Sequence, residues 1–238
     1  MENILKYMER ENKMSKEFLD LPLEDVPFVV FDTETSLRTS PGQPAFFDMV
    51  EIGCVVFNFR EQEVDSFRSL VKPYYPFNRV SCKAMHVTED ALNTAPKFPE
   101  IAGSISMLFA NRVIIGQNTQ FDIRTVRQAI ELYGNLGQIK SEVCSQLTST
   151  LESEYFDTKK IFSHFFPSEK KQSLDAIAFK VGVSPKIVKH SALEDACLTL
   201  DVFKKLTELA SSKGVTTLRH LFDFQRGRYG KSKQISFF

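Results

Sequence analysis

Three short stretches of this sequence hold the side chains that could do chemistry. In VVFDTETS (residues 29–36) an apolar run ends in Asp32 and Glu34, with only Thr33 between them. A strand sends residues i and i+2 to one face, so both carboxylates point the same way at its C-terminal end. Two like charges that close repel, and a divalent cation removes the conflict. Mg²⁺ or Mn²⁺ is the expected ion, because hard cations take carboxylate oxygens together with waters and phosphate oxygens. A bare D-x-E more often marks a solvated turn, so the pair counts only with partners.

The second stretch, GQNTQFDIRTV, puts Asp122 in the first turn of a helix that follows a strand. The helix dipole favours an acid there. Yet Asp122 shares the apolar face with Val126, Ala129, Ile130 and Tyr133, and an inward acid needs a partner. The third stretch is KHSALEDACLTL. Ser191 and Glu194 read as a capping box, which leaves His190 and Asp195 at the two staple positions whose side chains meet. Glu194 is assigned to the cap rather than to a metal. Asp32, Glu34, Asp122, Asp195 and His190 form the inventory of a two-metal phosphoryl-transfer site. In that reading Asp32 bridges both ions, and Glu34 and Asp195 complete the first. His190, titrating near neutral pH, takes the proton from the attacking water.

The elements that must position these groups follow from periodicity and breakers. Strands are expected over 28–32, 49–59 and 63–71, as a meander, and over 112–115. Helices are expected over 88–93, 99–110, 119–133, 158–166, 173–181 and 192–212, the third stopped by Gly134-Asn135. Residues 135–156 read as an insertion without assigned elements. The expected organisation is an N-terminal appendage over 1–25, a domain over 26–213 and a tail over 214–238. Strands first, then strand and helices mixed, predict an α/β domain with a central mixed sheet flanked by helices.

With 238 residues the chain has room for a sizeable core. Thirty basic residues balance thirty acidic ones, so any nucleic-acid contact must come from a local patch. No apolar run approaches the roughly 18 residues of a membrane helix. The charged N-terminus lacks the apolar stretch of a secretion signal. Cys54, Cys82, Cys144 and Cys197 show no C-x-x-C spacing, which predicts a reduced, intracellular setting. The tail carries Arg219, Arg226, Arg228, Lys231 and Lys233 and ends in Gln234, Ile235, Ser236, Phe237 and Phe238. A basic strap with an apolar hook suits docking, with charge steering and aromatics anchoring; it also suits contact with DNA phosphates.

FDTETS, the Asp122 segment and HSALEDA resemble the three motifs of the DEDDh family of 3′→5′ exonucleases, which includes the proofreading epsilon subunit of bacterial DNA polymerase III. The resemblance runs over about residues 27–212. VEIGCVVF at 50–57, MHVTEDAL and APKFPEI within 85–101, and SLDAIAFKVGV at 173–183 agree with it. It implies a ribonuclease-H-like exonuclease fold that removes nucleoside monophosphates from a 3′ end with two Mg²⁺ or Mn²⁺. It also implies Asp32, Glu34 and Asp195 as metal ligands, Asp122 acting through water, and His190 as general base. Thr35-Ser36-Leu37 stands where the family often has a glycine, and so does Val87. DNA is the favoured substrate, with RNA as the alternative, since nothing here reads a sugar 2′ position. An inert adaptor would be signalled by a missing acid or histidine, and none is missing. QISFF resembles the peptide by which bacterial polymerases and their accessories bind the sliding clamp. It implies a clamp or polymerase subunit as partner and a bacterial cytoplasmic setting.

Overall fold

A computed structural model describes residues 14–38, 46–75, 87–184 and 191–230. His190 and the QISFF residues Gln234, Ile235, Ser236, Phe237 and Phe238 lie outside the described residues, as do Cys82, Lys231 and Lys233.

Five strands form one sheet: β1 (Phe28–Arg38), β2 (Phe46–Asn58), β3 (Gln62–Leu70), β4 (Val113–Gly116) and β5 (Tyr155–Asp157), in the order β3-β2-β1-β4-β5. β1, β2 and β3 are antiparallel, as the expected meander requires, and β4 and β5 run parallel to β1. The sheet is therefore mixed and covered on both faces, and the start of β1 is apolar on both sides for that reason. Phe28 and Val30 pack with Val202, Phe203 and Leu206 of the helix Ala192–Ser211. Val29 and Phe31 pack with Ile105 and Phe109 of the helix Phe98–Phe109, and with Val126 and Ile130 of the helix Gln120–Asn135. Each fully buried Phe or Val is worth roughly 1.5–3 kcal/mol of transfer free energy. β1 is thus the plank against which both helical layers are fixed.

Some expectations need correction. Residues 135–156 hold the helix Ser141–Glu152 and, at their end, most of the edge strand β5. Tyr155-Phe156-Asp157 is too short for a period-2 pattern, so periodicity could not find it. The helix Gln120–Asn135 runs through Gly134-Asn135 and stops at Gly137, whose φ is +66°. There Gln138 N–H donates to Tyr133 O at 3.0 Å, the kind of left-handed stop that suits glycine.

The boundaries at 26 and 213 are not where packing ends. The helix Leu218–Gln225 buries Leu218, Leu221 and Phe222 in the main core, and Phe18, Leu23 and Val26 join the same cluster. Phe222 stacks on Phe156 at 4.3 Å between centroids. Leu23 N–H donates to Thr216 O and Leu218 N–H to Leu21 O, both at 3.0 Å. Arg219, expected in a free strap, pairs with Asp20 at 2.6 Å. The physical reason is the spacing of Leu218, Leu221 and Phe222, which makes one apolar stripe on an eight-residue helix. No helix among the described residues is long and apolar enough to cross a membrane.

Candidate active site

β1 outruns its parallel neighbour. β4 pairs with β1 only from Phe28 to Val30, whereas the antiparallel β2 follows β1 to Arg38. Past Val30 the β4 side of β1 offers unpaired backbone groups, which must find other partners. Asp122 supplies one. It stands in the first turn of the helix that leaves β4, and one of its oxygens, Oδ1, accepts from Thr33 N–H at 2.9 Å and Thr33 Oγ1 at 2.7 Å. The inward acid foreseen from the helical pattern is only 3% exposed, and its partner is the residue between Asp32 and Glu34.

Strand alternation completes the arrangement. Asp32 and Glu34 continue the face of Phe28 and Val30, toward the helix Ala192–Ser211, whose first turn carries Asp195. Asp32, Glu34 and Asp195 each bring one carboxylate oxygen to within 4.8 Å of the others, a group able to hold a metal ion. The register slips between Glu34 and Thr35, where Val50 of β2 is skipped. A bulge at this point interrupts the ladder just after the second acid, before it resumes from Thr35 to Arg38.

Asp195 comes this close because Gly53 is a glycine. Gly53 lies directly across from Asp32 in the β1–β2 register. A Cβ built there would meet Leu193 N at 2.1 Å, Ala192 C at 2.3 Å and Leu193 Cα at 2.4 Å. The first turn of the helix therefore rests on bare strand backbone. Ser191 caps that turn, its Oγ accepting from Glu194 N–H at 3.3 Å. The expected return bond from Ser191 N–H to Glu194 is not made among the described residues; Glu194 Oε2 is buried without a hydrogen-bond partner.

The electrostatics fit a cation. Burial, with Asp122, Asp195, Glu34 and Glu51 close by, holds the Asp32 carboxyl well above the usual carboxylate range. Burial likewise pushes Asp122 up to about 7, against the downward pull of the Thr33 hydrogen bonds. Carboxylates packed so closely favour either a shared proton or a divalent ion.

Glu51, Thr33 and Gly53 were not singled out from the sequence. Glu51 faces Glu34 across the β1–β2 ladder, is 2% exposed and accepts from Arg68 Nε at 2.6 Å. An acid inside the apolar run VEIGCVVF was the available signal.

A family model described as Exonuclease, for the RNase T type, matches residues 29–203. The chain belongs to this exonuclease family. It is 27% identical over 200 residues to the DNA polymerase III subunit epsilon-like protein of Rhodobacter capsulatus, covering 83% of this chain and 26% of that one. It is 28% identical over 182 residues to DNA polymerase III subunit epsilon of Buchnera aphidicola subsp. Schizaphis graminum, covering 75% of this chain and 73% of that one. The chain thus spans about a quarter of the first relative and most of the second. Among solved structures, the nuclease domain of 3′hExo, a DEDDh family member bound to rAMP, superposes with a TM-score of 0.56 at 14% identity. That match covers 76% of this chain and 92% of that one. The mixed five-stranded sheet is the ribonuclease-H-like fold of such exonucleases.

Proposed function

We propose that this chain is a metal-dependent 3′→5′ exonuclease that releases nucleoside monophosphates from DNA ends. The observation that carries the reading is the convergence of Asp32, Glu34 and Asp195 within 4.8 Å, on the part of β1 beyond its pairing with β4 that Asp122 ties down through Thr33. Asp32, Glu34 and Asp195 would hold Mg²⁺ or Mn²⁺. Bound there, two such ions would stabilise the charge that develops on the attacking and leaving oxygens of a phosphodiester.

The remaining roles belong to the chain. Asp122 spends one oxygen on Thr33 and so fixes the spacing of the two acids around it. Its other oxygen would orient a water. His190, which directly precedes the N-cap Ser191, would accept the proton of the attacking water. Glu51, neutralised by Arg68, closes the site beside Glu34.

DNA is favoured over RNA because both relatives are named for a DNA polymerase. RNA stands as the second reading because a neighbour of the same fold is bound to rAMP. The bacterial origin of both relatives supports a bacterial cytoplasmic protein. We also keep the tail residues Gln234, Ile235, Phe237 and Phe238 as a proposed anchor for a sliding clamp or polymerase subunit; QISFF deletion should abolish clamp capture and spare cleavage. The test of the activity is digestion of 3′- and 5′-labelled single-stranded DNA and RNA with Mg²⁺, Mn²⁺ or chelator, wild type beside Asp195→Ala. Metal-dependent loss from the 3′ end of DNA, absent in the variant, is expected. Faster loss of RNA would move the substrate to RNA, and intact strands of both kinds would refute the catalytic reading.

A further inference from the structure

The edge strand β5 is followed by a second, basic groove. It is an open cavity of about 490 Å³ between β5, the helix Thr158–Phe165 and the helix Leu218–Gln225, lined by Glu154, Tyr155, Lys160, Phe222, Arg226 and Arg228. That volume lies within the range of about 300–1,000 Å³ that small-molecule sites occupy, so it can seat a nucleotide unit. Three cations line it against one acid.

Two of the three cations are placed by contacts with the groove's rings. Lys160 Nζ lies 5.2 Å above the Tyr155 ring and Arg226 Cζ lies 5.5 Å above the Phe222 ring. A guanidinium held over an aromatic face still has N–H donors for an acceptor. Arg226 also engages Glu154 and lies 3.9 Å from Asp223. Lys160 and Arg228 form no ion pair among the described residues, and both are exposed. The floor is fixed by Gln225, whose Oε1 accepts from Asp157 N–H at 2.8 Å and whose Nε2 donates to Tyr155 O at 3.0 Å. One side chain thus occupies the open edge of β5, and the groove wall is tied to the sheet.

The groove lies along the outer edge of β5, two strands away from the carboxylates on β1. β1, β4 and β5 are parallel, and β4 and β5 stop together at Gly116 and Asp157 while β1 runs on past them. Two strand spacings, about 10 Å, separate β1 from β5. Lys160 stands in the first turn of the helix that Asp157, the last residue of β5, caps. Phe222 is buried under Arg226 and Tyr155 lies under Lys160, so the rings hold the cations in place and the groove offers a strand charge for its phosphates rather than faces for its bases. The helix that forms the far wall lies beyond residues 29–203, the part matched by the exonuclease family.

We propose that this groove holds the phosphodiester backbone of the substrate strand upstream of its 3′ end, through Lys160, Arg226 and Arg228. The proposal rests on the exonuclease reading for the identity of the strand, but its test does not. Binding of a fluorescent oligothymidylate to the full chain is measured by anisotropy in chelator, over a salt series. Cleavage of a thymidine dinucleotide with Mn²⁺ is measured alongside. Lys160→Ala and Arg228→Ala are each expected to shrink the slope of log affinity against log salt by about 0.7, which is about fivefold in affinity at about 0.1 M salt. Dinucleotide cleavage should stay at the wild-type rate, because so short a substrate does not reach the groove. Glu154→Gln removes the opposing acid, keeps an acceptor for Arg226, and should tighten oligothymidylate binding. Unchanged affinity and slope in Lys160→Ala and Arg228→Ala would overturn the proposal, as would equal losses on oligothymidylate and dinucleotide. A wild type that cleaves nothing, yet binds oligothymidylate through Lys160 and Arg228, would sustain the groove and refute the exonuclease.

Discussion

Gly53→Ala places a methyl group where the backbone of Ala192 and Leu193 already stands. The nearest atom, Leu193 N, is 2.1 Å from the new carbon, and ordinary contact begins at 3.4 Å. The deficit is 3.4 − 2.1 = 1.3 Å. All three crowding atoms are backbone, so no rotamer change relieves them; the first turn of the helix Ala192–Ser211 must lift, or β2 must bow. Either way Asp195 moves away from Asp32 by about the same distance. Misplacement of about 1 Å in a reacting constellation costs on the order of a hundredfold in rate. Overpacking of this kind costs about 1–3 kcal/mol, and in a chain of this size each kcal/mol lowers Tm by about 2–4 °C. The variant should therefore fold, melt about 2–12 °C lower, bind Mn²⁺ more weakly and lose on the order of a hundredfold in kcat/KM on a 3′-labelled strand. Gly103→Ala is the control: nothing lies within 4 Å of its Cβ, and it sits inside the helix Phe98–Phe109. It should gain about 0.4–1 kcal/mol and leave activity unchanged. A folded Gly53→Ala with wild-type activity and Mn²⁺ affinity would refute the idea that this glycine sets the distance between Asp195 and Asp32.

Three further outcomes are expected of the same site and core. Mn²⁺ at about 100 times its Kd should stabilise the protein by about 2.7 kcal/mol, read as a rise in Tm; Asp32→Asn should raise Tm in chelator by removing a crowded charge, and should abolish the Mn²⁺ effect, so an equal Mn²⁺ shift in both proteins would count against the site. Phe222→Ala should cost about 3–5 kcal/mol by emptying the stack on Phe156, and a denaturation midpoint unchanged from wild type would return residues 215–230 to the status of a tail. Burial holds Asp157 above the usual carboxylate value, against hydrogen bonds from Asn118 N–H and Lys159 N–H. As pH rises, the unfolded chain gives up this proton first, so stability falls between the unfolded value and the raised folded one. Asp157→Asn keeps both hydrogen bonds and should flatten that fall in pH-dependent melting curves; an identical pH profile would refute the assignment.

The sheet order and the acids were legible to different depths. Asp32 and Glu34 were readable because a strand's period of two leaves no choice of face. Asp195 was readable because Ser191 fixes the helix start. The distance between Asp32 and Asp195 was not, because it depends on Gly53 and on a close approach that no local pattern encodes. Asp122 announced itself as an inward acid, but its partner Thr33 is set by β1 outrunning β4, a matter of strand lengths in three dimensions. β5 is too short to show a period, whereas the helix Leu218–Gln225 does carry one in Leu218, Leu221 and Phe222; what no local pattern encodes is that both are held by long-range contacts, Phe222 on Phe156 and Gln225 on the strand edge.

The seam between Leu21–Leu23 and Thr216–Leu218 has a consequence for how the chain is made. Its two sides are among the most distant partners in the sequence. On a ribosome adding about 5–20 residues per second, Phe18 and Leu23 would wait on the order of 10–40 s before Leu218 and Phe222 emerge to cover them. For that interval the nascent chain can assemble the sheet from β1 to β5 while its opening segment stays unburied. The seam then closes only after the sheet has formed, and a chain cut short before residue 218 would be left with apolar side chains that a chaperone or protease can read.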